Sequence, residues 1–182
     1  MSYCYDNPLV DYIPSPAECA PTFPSGMSDM VAFLGDLPSN PSDPTEVQAL
    51  INSGDAVYIP RIQATLNAPE PNEVQRKIAC APVTVSTYNR TLTIMDDDVT
   101  PNNVLAYNSL NASSGRLLTG LLVHECAANR ATFIDASITL IGGRQTDEND
   151  EGELQHFNFE ARWKKVGDAE IVDWPAGLTS PE

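Results

Sequence analysis

The sequence is short of cations: its 182 residues hold 10 Lys and Arg against 25 Asp and Glu, a formal net charge of −15. Proteins that grip nucleic acid do so by replacing phosphate counterions with clustered Lys and Arg, and this composition disfavours that. Lys164-Lys165 is the only basic pair between Arg130 and Lys165. The acidity is spread along the chain, since residues 1–90 carry 4 basic and 10 acidic side chains and residues 91–182 carry 6 and 15, so no acidic tail accounts for it.

Ligand-holding motifs are equally sparse. There are two histidines, and His124-Glu125 opens the H-E-x-x-H zinc pattern only for Ala128 to stand where the second imidazole belongs. Cys4, Cys19, Cys80 and Cys126 are too far apart for a C-x-x-C metal or redox pair. Asp147-Glu148-Asn149-Asp150-Glu151-Gly152 starts like an EF-hand loop, but the twelfth position is Asn158 instead of a bidentate Glu. Asp96-Asp97-Asp98 lacks the glycine and reads as a strand-ending turn. No G-x-S-x-G elbow or Walker A loop occurs, and Gly142-Gly143-Arg144 lacks the rest of a dinucleotide loop. The expectation is a protein without catalytic residues, cofactor or metal. No stretch approaches the roughly 18 apolar residues of a membrane span. Met1 to Asp6 has neither a basic start nor an apolar run, so no secretory signal is expected, and free thiols in a reducing cytoplasm follow.

What the chain does have is strand. Ala131 to Ile141 is β-branched and alternating, Gly142-Gly143 punctuates it, and Leu154 to Trp163 alternates again, so Arg130 to Lys165 predicts a long hairpin joined by an acidic loop. One face, through Phe133, Ile138, Leu140, Phe157 and Phe159, is expected in the core. The other, with Thr132, Ser137, Thr139, Gln155, Asn158 and Glu160, is expected to be polar, and a one-residue register error would exchange the two.

Upstream, residues 1–45 hold 8 of the 15 prolines, which argues against a continuous helix or central strand, yet Tyr3, Tyr5, Tyr12, Phe23 and Phe33 make the segment too apolar for a free linker. It reads as an extended arm packing on a neighbour or on its own domain, with Met27 to Leu34 as a short strand or helical turn within it. A β-rich assembly domain over 46–182 follows. Asp43 as N-cap, Pro44 at the first position and Gly54 beyond the end predict one short helix, with Val47, Leu50 and Ile51 buried. Thr100-Pro101 predicts a second, its apolar positions only partly periodic. Strands are expected over Ala56 to Leu66, where Pro60 implies an edge or a bulge, around Ile78 to Val85, over Thr91 to Met95, and from Leu117 to Cys126. The fold class is therefore mainly β, a sandwich or barrel of antiparallel strands with one or two flanking helices and a long proline-rich N-terminal arm.

Residues 55–175 resemble, in pattern, the major tail-tube proteins of tailed bacteriophages. The points of similarity are a β-rich core, one flanking helix from Pro101 to Asn111, and a long hairpin ending in Phe157-Asn158-Phe159-Glu160-Ala161-Arg162-Trp163-Lys164. The resemblance implies a virion protein made in the host cytoplasm and assembling into rings, usually hexameric, through which DNA passes as unspecific cargo, in contact with other virion proteins. The expected assembly residues are Tyr3, Tyr5, Tyr12, Phe23, Phe33, Thr132, Ser137, Thr139, Asn158 and Glu160, with Asp147, Glu148, Asp150 and Glu151 facing a lumen or the next ring. The acidity fits a conduit along which phosphates must not stick. The arm is longer than a compact tube subunit needs, and leaves a head, neck or decoration protein as an alternative. The other rivals are a carbohydrate-binding β-sandwich that uses Trp163, Trp174 and the tyrosines as stacking platforms, and an enzyme built on carboxylates or a metal.

Overall fold

A computed structural model describes residues 27–78, 81–125, 129–149, 152–165 and 169–180. Eight strands and two α-helices follow in the order β1 (Met27–Phe33), α1 (Pro44–Ser53), β2 (Ala56–Leu66), β3 (Glu70–Ile78), β4 (Ala81–Asp96), α2 (Pro101–Leu110), β5 (Leu118–Glu125), β6 (Arg130–Asn149), β7 (Gly152–Lys165) and β8 (Glu170–Asp173). All pairings are antiparallel, in the order β2-β1-β5-β6-β7-β4-β3, with β8 on β6. Because β2 also pairs with β4, from Gln63 opposite Met95 to Leu66 opposite Leu92, the sheet closes on itself as a six-stranded barrel. The mainly β class is thus seen in its barrel form.

Alternation fills the barrel. Met30 and Ala32, Leu121 and Val123, Ile134, Ile138 and Leu140, Leu92 and Ile94, and Phe157, Phe159, Ala161 and Trp163 point inward from successive strands into one buried cluster. Strand β2 holds this face only by changing parity, from Val57 and Ile59 to Ile62 and Ala64. The change falls at Pro60-Arg61, where Arg61 takes φ 60 and the register against β1 slips. The bulge implied by Pro60 is there.

Helix α2 packs against the inside of the barrel. Thr100 caps it by accepting from Asn103 N, Pro101 needs no donor at its first turn, and Tyr107 lies against Phe157 and Phe159 with ring centroids 4.6 and 4.7 Å apart. Its buried residues are Asn103, Ala106, Tyr107, Ser109 and Leu110, while Leu105 is exposed. Polar burial there explains the weak apolar periodicity, because backbone oxygens take the buried donors: Asn103 Nδ2 donates to Asp98 O and Ser109 to Ala106 O. The Tyr107 hydroxyl donates to Asp96 Oδ2 at 2.7 Å, tying the helix to the end of β4. The Asp96-Asp98 turn is local, with Asp98 N donating to Asp96 Oδ1.

A second cluster covers part of the barrel's outside. Val31, Phe33, Leu122, Ala131 and Phe133 face outward and are covered by Val47 and Ile51 of α1 and by Trp174 and Leu178 of the C-terminal segment. Helix α1 is capped as expected, by Asp43 at its start and by left-handed Gly54 (φ 83) at its end. Gln48 holds the C-terminal segment by donating to Thr179 O and accepting from Thr179 N.

Two expectations need correction. The arm cannot extend to residue 45: β1 sits in the barrel wall between β2 and β5, and Met30 to Phe33 are fully buried, because the apolar block from Met27 to Leu34 forms a strand instead of an arm segment. The domain therefore includes residues 27–45, and the rest of the arm lies outside the described residues. The acidic loop is also shorter than expected, since Asp147, Glu148 and Asn149 pair with Leu154, Glu153 and Gly152 in the β6–β7 ladder. Gly142 does not interrupt that ladder. A Cβ there would stand 2.2 Å from Asn158 O, so glycine permits close approach to β7.

Candidate assembly surfaces

The predicted interface residues separate into three groups. Tyr3, Tyr5, Tyr12 and Phe23 lie outside the described residues, as do Asp150, Glu151 and all four cysteines. Phe33 and Thr132 are interior to their own chain and offer no free surface. Phe33 meets Phe133 edge-on at 6.3 Å beneath α1, and Thr132 is 5% exposed, its hydroxyl 3.3 Å from Glu125 Oε1. Phe133, expected on the Ile138 face, and Thr132, expected opposite it, are exchanged, because inward positions on β6 are even-numbered from Ile134 to Leu140.

The third group comes together. Ser137, Thr139 and Glu160 line a cleft of about 740 Å³ on the outside of the barrel, joined by Asn89, Thr91 and Arg162. Asn158 lies on the same outward face of β7, half-buried, donating to Gln145 Oε1 at 3.3 Å. This face is polar and not acidic: Glu160 pairs with Arg162, and Glu70, Arg90 and Lys164 also line the cleft, three cations against two acids. Carboxylate density lies elsewhere, in the β6–β7 hairpin, where Gln145 to His156 contains five acids and no Lys or Arg.

That hairpin is one of two that outrun the barrel. The other, β3–β4, was not foreseen as a hairpin, because Ala79-Cys80 carries none of the Gly, Asn or Asp that signals a tight turn. The alternation of Val83 and Val85 with Thr84 and Ser86 was the available clue. Among the described residues, β3 pairs with no strand but β4, and β6 beyond Ile138 pairs with none but β7. Asn111 Nδ2 donates to Gly142 O at 2.6 Å. Past it, the remaining β6 edge offers amide and carbonyl groups without a ladder partner among the described residues.

The other candidate centres have structural partners. His124 stacks on Trp174 at 4.7 Å and lies 3.7 Å from Asp29 Oδ2, while Glu125 meets Arg130 at 3.5 Å. Among the described residues no group of three or more His, Cys, Asp or Glu is placed to hold a metal ion. Trp163 and Trp174 are 3% and 8% exposed, so neither presents a stacking platform. Among the described residues, Glu46 and Tyr58 are perturbed. Backbone N–H groups of Ser39 and Asn40 donate to the Glu46 carboxylate and hold it below its usual range. Burial, helped by the Asp29 carboxylate and opposed by Arg61, pushes the Tyr58 hydroxyl up to about 12. No described helix is long and apolar enough to cross a membrane. Compared with known families, curated proteins and solved structures, the chain matches none.

Proposed function

We propose that this chain is a non-catalytic structural subunit of a tailed-phage virion, most similar in role to a tail-tube protein. Copies close into rings, hexameric by the family's habit, and the rings stack around a channel that passes DNA without binding it. The observation that supports this best is the contrast between a closed, filled barrel and two long hairpins whose outer edges, among the described residues, have no partner. Such edges aggregate unless something covers them, and regular neighbours are the economical cover. The polar outer face with Ser137, Thr139, Asn158 and Glu160 suits a channel wall or a subunit contact, and the overall −15 charge disfavours phosphate adhesion. The first 26 residues serve as the tether to the next ring or to other virion proteins.

Negative-stain electron microscopy and mass photometry across a concentration series test the reading. The expected result is discrete rings or tubes. A particle that stays monomeric at high concentration, also when seeded with extracts of phage-infected cells, overturns it.

A further inference from the structure

The pairings of β4 fix the direction of both overhangs. Strands β4 and β7 lie side by side from Tyr88 opposite Lys165 to Asp96 opposite Phe157. On one side of this block β4 continues to Ala81 beside β3 alone, a ladder from Asn72 opposite Thr87 to Ile78 opposite Ala81 that spans about 23 Å at the usual strand rise. On the other side β7 continues to Gly152 beside β6 alone, from Gln145 opposite His156 to Asn149 opposite Gly152, about 17 Å. Since β4 and β7 are antiparallel, the two hairpins leave opposite ends of the barrel.

Their charges are opposite as well. In a chain with 10 cations, residues 72–87 hold Arg76 and Lys77 against the single acid Glu73, while residues 145–156 hold five acids and no Lys or Arg. A copy displaced along the strand direction and sideways by four strand positions, about 19 Å at the usual strand spacing, sets the β6 side of its acidic hairpin beside the β3 side of the basic hairpin of the first. Strand β3 runs toward its own tip and β6 toward the opposite one, so the two free edges meet antiparallel, the arrangement that extends a ladder.

Resting on the assembly reading above, we propose that a second copy of this chain docks end to end, the β6 edge at 145–149 adding to the β3 edge at 72–78, so that the stretch with Asp147 and Glu148 runs alongside the stretch with Arg76 and Lys77. The contact is heterologous, joining two different surfaces, so repetition along an axis does not terminate and yields stacked layers. Electrostatics selects the partner and the ladder holds it, so stacking weakens as salt screens beyond the Debye length, about 10 Å at 0.1 M.

Reversing charge tests it in the full chain. R76E/K77E makes both hairpins acidic, and D147K/E148K puts cations on both docking stretches while cutting the β6–β7 hairpin from five net negative charges to one. Each variant alone is expected to lose particles longer than one layer, while circular-dichroism melting stays at the wild-type value because the changes lie outside the barrel. An equimolar mixture is expected to stack again, in alternation, and the four-fold variant R76E/K77E/D147K/E148K to stack by itself. If either variant alone stacks like wild type, or if neither the mixture nor the four-fold variant recovers, the docking is overturned while the ring reading stands. Wild-type protein that forms no oligomer overturns both.

Discussion

The barrel and its hairpins carry the same kind of strand to opposite ends. In the barrel the sheet closes on itself through four residue pairs of β2 and β4, and the inward face from Met30 to Trp163 is packed around Tyr107. In the overhangs the ladders are two strands wide, and a two-stranded ribbon is marginal by itself in water. The barrel therefore accounts for stability, whereas 23 and 17 Å of projecting ribbon contribute little to it and need another explanation. The difference teaches where to look for function in a chain with no recognisable chemistry: in the structure that folding does not require.

That division can be broken at several points. Phe159→Ala removes a fully buried ring from the Tyr107 stack and is expected to cost about 3–5 kcal/mol in denaturant unfolding. Tyr107→Phe keeps the ring and deletes the hydroxyl that serves buried Asp96, for roughly 1–3 kcal/mol. Gln48→Ala frees the C-terminal segment at Thr179 and should cost about 1 kcal/mol or less, these bonds being exposed. Shortening the β6–β7 hairpin by replacing residues 146–155 with an Asn-Gly turn, which keeps the Gln145–His156 pair, should leave the melting temperature nearly unchanged and abolish higher assembly. A large loss of stability on that deletion would erase the distinction between the two regions.

The smallest effects are pH-dependent, and their signs are opposite. The Glu46 carboxyl is lowered in the folded state, so its contact with Ser39 and Asn40 stabilises above the ordinary value of 4.5 and is lost as pH falls through the lowered one. In Glu46→Gln the acid limb of the stability profile should flatten slightly. Tyr58 is raised, so its contribution is complete below its ordinary value of 10 and is lost as pH rises toward about 12. Tyr58→Phe should blunt the alkaline limb of thermal unfolding.

Much of the body was legible in the sequence. Asp43, Pro44 and Gly54 punctuate α1, Thr100 and Pro101 open α2, and Pro60 marks the bulge at which β2 changes face. These are local effects of backbone geometry, and local effects survive in a string of residues. Closure of the sheet depends on β2 meeting β4 across a turn and a hairpin, and long-range pairing leaves no local mark. Proline density pointed to an arm through residue 45, yet Pro38, Pro41 and Pro44 occupy a connection and a helix start while β1 precedes them. Of the expected surface, Ser137, Thr139 and Glu160 were found together because alternation alone puts them outward, whereas Phe33 and Thr132 are covered by elements remote in sequence. The β3–β4 hairpin went unread for want of a turn signal.

The central claim, that the hairpin edges exist to be covered by other copies, is tested most directly by amide hydrogen exchange compared between dilute and assembled protein. The claim predicts that Asn72–Ile78 and Gln145–Asn149 exchange fast in the monomer and become protected on assembly, with barrel strands slow in both states. Protection of those edges already in the monomer, or no change in them on assembly, would contradict it.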